Sequence, residues 1–277
     1  GCHELDGGVV RERKVGRRDG LPDGAGGVVQ SSRVDAAGGT ITTRQPSYSL
    51  ASGSWLVDAI PSAMLLSDGS SGRLLIGALS AEVPASRDHS YVPEQRLASL
   101  GGLRHAVIIH ARRSKLVFAN GQTVREVPVR LGDPRRADAS IAGSARNGGV
   151  LVHCTGRRDL HLTRFSAAGR VRRAIDVPIP DDVCGFPRAT AMQNGWVVSY
   201  WTGHSVRILR VDWAGVASGP ALELSTTEHS GRPTDARMVA SDHAIAVVWA
   251  AGAAVGSNAM PIAAEGPRVS VLRCDAP

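Results

Sequence analysis

The sequence predicts an all-β fold built from a repeated four-stranded unit, and three observations support this prediction. The apolar runs are short and rich in Val, Ile and Leu, and several alternate with a period of two, as in Val206–Val211. Glycines between the predicted first and second strands fall at Gly102, Gly149 and Gly195, at steps of 47 and 46 residues. No segment shows the 3.6-residue periodicity of an amphipathic helix.

The clearest copy of the unit begins at Pro187. It reads PRATAMQNG, WVVSYWTGHS, VRILRVDWAG and VASGPALELS, which predicts four strands separated by turns. Positions in the predicted third strand repeat at the same steps, and they are Phe118, Phe165 and Val211, with Cys274 as their displaced counterpart. A repeated four-stranded unit of roughly 40 to 50 residues is typical of the blades of a β-propeller.

The N-terminal third is less regular than the rest. Residues 26–39 carry only the ending of a third strand, and residues 63–81 read as a hairpin. We therefore predict one β-propeller domain over residues 1–277, with about six blades and with five or seven as the alternatives.

The two ends of the chain are predicted to complete one blade together. The last copy of the repeat stops in its third strand, and Gly8–Val15 is a spare strand that can supply the fourth. A ring closed in this way leaves no open blade edge. The closure brings Cys2 and Cys274 close to each other, and a bridge between them would constrain nearly the whole chain.

The four cysteines are predicted to form two disulfides, because none lies in a CxxC pair and their spacing is wide. Cys154 ends a second strand and Cys184 precedes the next first strand, so that these two can bridge neighbouring blades. The alternative is four reduced thiols in the cytosol. Gly1-Cys2 also resembles the end of a bacterial lipoprotein signal, and a lipid anchor on Cys2 would exclude the bridge to Cys274.

The composition narrows the range of partners. The net charge is +7, and lysine occurs only at Lys14 and Lys115, so nearly all the cations are arginine. Arginine pairs bidentately with carboxylate, sulfate or phosphate. Aromatic residues make up 4% of the chain, which argues against a reader of single-stranded nucleic acid. No apolar run is long enough to span a bilayer.

The repeat resembles that of a known group of proteins. The segment Pro187–Gly215 is similar to the propeller repeats of large secreted and lipid-anchored bacterial proteins, and the resemblance extends over about the last 180 residues. It implies a propeller outside the cytoplasm, in the periplasm, at the cell surface or secreted. It implies no activity, because the repeated residues are structural.

The predicted topology places a set of cationic loops on one face, since the loop that enters a first strand and the loop that leaves a second strand lie on the same side. The predicted ligand-binding residues in these loops are Arg112, Arg113, Arg136, Arg157, Arg158, His204 and Arg232. The functional interpretation is a face that binds anions, and the alternative is an ordinary solvated surface.

A second set of residues lies near the ends of successive second strands and consists of His110, His153, Tyr200 and Trp249. They are candidates to line a central ligand pocket, and packing is the alternative. The insertion at about 250–268 is a candidate lid or docking loop. The sequence predicts neither a metal site nor a cofactor, and it carries none of the common catalytic motifs.

Three functions remain open from the sequence. The first is a non-catalytic binding or scaffold propeller of the cell envelope that contacts an acidic glycan or an acidic protein, with no specific nucleic acid. The second is a propeller hydrolase or lyase that acts on polysaccharide or lactone. The third is a structural subunit of a larger envelope assembly. The sequence does not specify the oligomeric state.

Overall fold

The computed structural model describes part of the chain. The described residues are 2–4, 20–22, 28–30, 39–42, 47–50, 55–60, 62–67, 71–84, 97–109, 114–131, 138–154, 159–180, 184–202, 205–224, 233–241, 244–251 and 268–274. Within these ranges the secondary structure is entirely β, which confirms the predicted all-β class.

Twenty-four strands follow one another along the described residues. The first five are β1 (Cys2–Glu4), β2 (Gly20–Pro22), β3 (Val28–Gln30), β4 (Gly39–Thr42) and β5 (Ser47–Leu50). Sheet I contains β6 (Trp55–Ile60), β7 (Ala63–Ser67), β8 (Ser71–Ile76) and β9 (Leu79–Pro84). Sheet II contains β10 (Leu97–Ser99), β11 (Arg104–Ile109), β12 (Lys115–Asn120) and β13 (Thr123–Pro128).

The remaining strands form three further sheets. Sheet III contains β14 (Asp138–Ser144), β15 (Gly148–Cys154), β16 (Asp159–Phe165) and β17 (Val171–Pro178). Sheet IV contains β18 (Gly185–Met192), β19 (Gly195–Trp201), β20 (Val206–Asp212) and β21 (Leu222–Leu224). Sheet V contains β22 (Pro233–Ala240), β23 (Ala244–Ala251), β24 (Arg268–Cys274) and, at its outer edge, β1.

Consecutive sheets pack face to face through their apolar residues. Four separate core clusters fill the four interfaces between sheets I and II, II and III, III and IV, and IV and V. In each pair the first strand of one sheet also contacts the first strand of the next. All strands within a sheet are antiparallel neighbours in chain order, with β1 as the exception. This arrangement is propeller-like, as the repeat predicted.

Polar links join the same neighbouring sheets. The backbone N–H of Leu97 donates to Asp58 Oδ2 at 2.9 Å and ties sheet II to sheet I. The Arg125 guanidinium donates to the carbonyl of Gly169 in sheet III. Arg164 Nη1 donates in turn to the carbonyl of Trp213 in sheet IV at 2.5 Å. Sheets I, II and III are therefore each fixed to the next sheet by both apolar and polar contacts.

The predicted repeat register is confirmed in the third strands. Phe118, Phe165, Val211 and Cys274 lie in β12, β16, β20 and β24. The predicted hairpin at residues 63–81 belongs to a complete four-stranded sheet, so the sequence revealed only part of this sheet. A β-bulge between Leu56 and Asp58 interrupts the period-two alternation of β6, which hides this strand in the sequence.

The N-terminal strand pairs with the last strand, as predicted, but through different residues. The register places Cys2 opposite Cys274 and Glu4 opposite Leu272. The segment Gly8–Val15, which we expected to fill this position, lies outside the described residues. Because β1 occupies the edge of β24, the described part of sheet V has four strands.

A buried histidine joins sheets I and II at one end of the molecule. His105 in β11 is fully buried, and its Nε2 shares a hydrogen bond of 2.9 Å with Ser62 Oγ. Burial lowers the pKa of His105 from the ordinary value of 6.5, while a hydrogen bond with the backbone of Leu103 acts in the opposite direction. The folded protein therefore favours the neutral imidazole.

We expect His105 to make the protein sensitive to acid. Because its folded-state pKa lies below the unfolded value, its contribution to stability is complete above about pH 6.5 and declines as the pH falls from there. The melting temperature of the wild type should thus fall more steeply between pH 7 and pH 5 than that of His105→Asn. Thermal melts at several pH values check this, and parallel curves for the two proteins would contradict it.

Candidate functional site

The strand ends define two faces. At the upper face the first strand of each sheet begins and the second strand ends, as at the backbone pair Asp138 and Cys154 in sheet III. At the lower face the first strand ends and the second begins, as at the turn 145–147. The lower ends of sheets I and II meet at the bond between Ser62 and His105, and the upper ends of sheets III and IV meet at a disulfide.

The predicted ligand-binding residues all fall outside the described residues, and they are Arg112, Arg113, Arg136, Arg157, Arg158, His204 and Arg232. The described strands on either side of these positions end or begin at the upper face. Binding by these side chains stays a prediction.

The disulfide between Cys154 and Cys184 is confirmed. The two Cα atoms lie 5.4 Å apart, and both side chains are buried. Cys154 is the last residue of β15 and Cys184 immediately precedes β18, so the bond joins the upper ends of two neighbouring sheets. It therefore fixes the end of β15 to the residue that precedes β18.

Cys274 is also disulfide-bonded, and its cross-strand neighbour in the backbone register is Cys2. The three cysteines with described side chains are thus all oxidised, which indicates an oxidising compartment. The alternative of reduced cytosolic thiols does not hold for these three residues.

Two of the four predicted pocket-lining residues have described side chains, and both are buried. His153 is buried on β15, and Tyr200 is buried in the core between sheets III and IV. The side chains of His110 and Trp249 lie outside the described residues. A ligand-lining role for the four stays a prediction.

A polar row crosses the upper part of sheet III. The rings of His153 and His161 stack with their centroids 4.6 Å apart, and His161 Nδ1 lies 2.6 Å from Asp176 Oδ1. The three residues are consecutive cross-strand neighbours on β15, β16 and β17. The carboxylate orients the His161 ring, and the stacked pair supports the strand end that carries Cys154.

Sequence reasoning missed an aromatic corner at the upper end of sheet IV. Trp201 is the last residue of β19, Phe186 is the second residue of β18, and their ring centroids lie 6.0 Å apart at an angle of 57°. Both side chains are partly exposed. The corner directly follows the disulfide, since Gly185, the backbone partner of Trp201, comes after Cys184.

The backbone at this corner is held in an uncommon conformation. Phe186 has a φ of 46°, and among the described residues it is the single non-glycine with positive φ. It lies in a β-bulge between Gly185 and Arg188, where two residues of β18 oppose one residue of β19. Positive φ is costly for a residue with a β-carbon. Strain of this kind is concentrated at functional sites, and here the bulge sets the direction of the Phe186 ring.

Two polar atoms, one in the aromatic corner and one beside it, lack hydrogen-bond partners among the described residues. Trp201 Nε1 and Ser199 Oγ are both buried and unpaired among the described residues. Ser199 and Trp201 share one face of β19, and the cross-strand neighbour of Ser199 is the buried Arg188. A buried donor without a partner is costly, so the corner favours an occupant that accepts hydrogen bonds.

Two of the described cations near this face are paired with carboxylates. Lys115 Nζ lies 2.5 Å from Glu126 Oε2, and Arg207 Nη1 lies 2.8 Å from Glu223 Oε2. Partly exposed pairs of this kind contribute little to stability. The carboxylates of Glu126 and Glu223 therefore offset the charge of these two cations.

Neither a metal cluster nor a bilayer-crossing helix is found in the described part of the chain. Its residues contain no group of three or more His, Cys, Asp or Glu side chains placed to hold a metal ion. They also include no helix with the length and apolar character needed to cross a membrane.

Comparisons with known proteins do not assign the chain to a family. No family model matches it, and neither does any curated protein. A solved structure from a structural and mechanistic analysis of two prolyl endopeptidases is similar to part of it, with 13% identity and a TM-score of 0.33. The alignment covers 68% of this chain and 35% of that one, so the chain spans about a third of the structure that it matches. A similarity at this level carries no information about activity.

Proposed function

We propose that this protein is a non-catalytic binding propeller of the bacterial cell envelope, and that its upper face binds an acidic glycan or an acidic protein surface. The observation that carries the proposal is the disulfide between Cys154 and Cys184, which fixes neighbouring upper loops in an oxidising compartment. Loops held on rigid sheets are the usual position of binding residues.

The proposed ring contains about six blades in a single domain. Sheets I to V supply five of them. The two-stranded sheets β2–β3 and β4–β5 precede β6 in the chain, and we assign them to the sixth. The pairing of β1 with β24 supports closure by the N-terminal strand, and we propose Cys2 as the disulfide partner of Cys274 rather than as a lipid anchor.

Arginine gives the proposed face its preference for acidic ligands. Two of the upper loops carry adjacent arginine pairs, Arg112-Arg113 and Arg157-Arg158. A guanidinium group donates two parallel hydrogen bonds to a carboxylate or a sulfate, and it keeps its charge at every physiological pH. Repeated acidic groups along a polymer can engage several loops at once, which raises the avidity.

The test is a binding titration of hexagalacturonate at several salt concentrations, measured by calorimetry. The upper quartet Arg112/Arg113/Arg157/Arg158→Ala is expected to bind about 100-fold more weakly than the wild type, since roughly 2 to 3 kcal/mol of charge-assisted bonding is lost. The affinity of the wild type should fall with added salt, and that of the quartet should change less.

A matched quartet on the lower face supplies the control. Arg104, Arg146, Arg170 and Arg172 are exposed at lower strand ends or turns, so replacing them by alanine removes the same charge from the other side. The lower quartet should bind as the wild type does. Equal losses of affinity in both quartets would show that net charge alone, and not the upper face, accounts for binding. A wild type that binds no acidic glycan or acidic protein at low salt would overturn the proposal.

A further inference from the structure

The aromatic corner at the upper end of sheet IV has the features of a ligand subsite. Trp201 and Phe186 present two tilted, partly exposed rings next to the disulfide. Few aromatic residues are available in this chain, because the sequence contains five Trp, three Tyr and three Phe. Ligand sites commonly combine such apolar walls with a small number of polar groups that fix the orientation of the ligand.

The polar atoms of the corner specify what the ligand must offer. Trp201 Nε1 carries a hydrogen that no described residue accepts, and Ser199 Oγ has no partner although the residue is 1% exposed. A suitable occupant therefore has an apolar face that covers the rings and oxygen atoms that accept hydrogen bonds at its edge. A pyranose ring has both, since its C–H groups form one face and its hydroxyl oxygens form the rim.

The β-bulge in β18 directs the ring of Phe186 toward Trp201. Phe186 has a φ of 46°, a backbone conformation that glycine would adopt without strain. The bulge moves Phe186 out of the regular alternation of β18 and brings its ring to the ring of Trp201. Cys184 lies two residues before it and is fixed to sheet III, so the corner is rigid on that side.

We infer that Trp201 and Phe186 form a sugar-ring subsite, on which one residue of an acidic glycan stacks. This inference rests on the proposed function and names glycan, rather than protein, as the ligand class. It also separates two contributions, because stacking on aromatic rings does not depend on salt and binding to arginine does.

The experiment measures binding of hexagalacturonate and of neutral mannohexaose to the wild type, Trp201→Ala, Phe186→Gly and Trp213→Ala. Trp201→Ala and Phe186→Gly are expected to weaken hexagalacturonate binding about tenfold, with an unchanged salt dependence. Trp213 is also partly exposed but lies in the lower turn after β20, so its replacement should leave binding unchanged.

Phe186→Gly keeps the test valid if Trp201→Ala folds poorly. Glycine accepts a φ of 46° without strain, and this gain offsets part of the stability lost with the ring, so the variant should still fold cooperatively while it loses affinity. Ligand-induced quenching of tryptophan fluorescence should disappear in Trp201→Ala and persist in Trp213→Ala.

The outcomes distinguish this inference from the proposed function. Weaker binding in both corner variants, together with normal binding in Trp213→Ala, supports the subsite. Wild-type affinity in both corner variants, with a loss in the upper arginine quartet, overturns the subsite and leaves the proposed function in place. If the wild type binds neither hexagalacturonate nor mannohexaose at low salt, the sugar-ring subsite is overturned. If it also binds no acidic protein surface, the proposed function is overturned as well.

Discussion

Replacing Cys2 and Cys274 together by serine is expected to lower the free energy of unfolding by about 5 kcal/mol, because the proposed bridge closes a loop nearly as long as the chain. That loss is a large part of the stability of a typical domain. The cross-strand register of β1 and β24 places the two residues opposite each other, and Cys274 is disulfide-bonded. Without the bond only three backbone pairs hold β1, and its release would leave the edge of β24 open.

The second disulfide supplies the comparison for this experiment. The sequence separation of Cys154 and Cys184 is 30 residues, so Cys154→Ser/Cys184→Ser should cost less, about 3.5 kcal/mol in the same loop-entropy treatment. Denaturant unfolding of both double variants gives the two values. Peptide mapping without reduction identifies the partner of Cys274, and a bond to any residue other than Cys2 would contradict the proposed closure.

Gly143→Ala is expected to destabilise the protein by about 3 kcal/mol, at the upper end of the range for overpacking. Gly143 lies near the end of β14, where the first strands of sheets II and III approach each other. A β-carbon at this position would overlap the carbonyl oxygen of Ser99 and press on the side chain of Leu100. Because the first contact is backbone, the two sheets would have to separate.

A second glycine provides the control for this prediction. Gly102 lies in the lower turn before β11 with a φ of 60°, and nothing lies within 4 Å of the position of its missing β-carbon. Gly102→Ala should therefore cost only the strain of a positive φ, about 1 kcal/mol. Chemical denaturation of the two variants measures the difference, and equal losses would show that close approach of the sheets is not what Gly143 permits.

The sequence predicted the elements that the repeat specifies. Strands β11 to β20 alternate or carry apolar runs bounded by turn residues, so the spacing of Gly149, Gly195, Phe165 and Val211 was sufficient to place them. The disulfide between Cys154 and Cys184 was predictable for the same reason, because the strand order brings the end of one second strand to the start of the next first strand.

Local departures from the repeat were not predictable. The bulge at Leu56 breaks the alternation of β6, so the first complete sheet looked like an isolated hairpin. The described part of the closing strand consists of three residues, too few for any periodicity, and the sequence offered the longer run Gly8–Val15 as a spare strand. The aromatic corner depends on a β-bulge and on the positive φ of Phe186, and the residue pattern predicts neither of them.

The proposed site therefore has a framework and a set of ligand-contacting loops. The framework consists of the disulfide, the stacked pair of His153 and His161, and the aromatic corner, all at upper strand ends. The proposed contacting loops carry the arginines that the sequence predicts to bind the ligand. This division agrees with the usual design of binding proteins, in which rigid strands present variable loops.

Hydrogen–deuterium exchange of the wild type, with and without saturating hexagalacturonate, shows directly which face binds the glycan. We expect slower exchange in peptides that contain the upper strand ends at Cys154, Gly185 and Trp201, and in the arginine loops beside them. We expect no change in the lower turns at residues 100–103 and 145–147. Protection confined to the lower turns, or exchange that the ligand leaves unchanged throughout, would contradict the claim that the upper face binds acidic glycan.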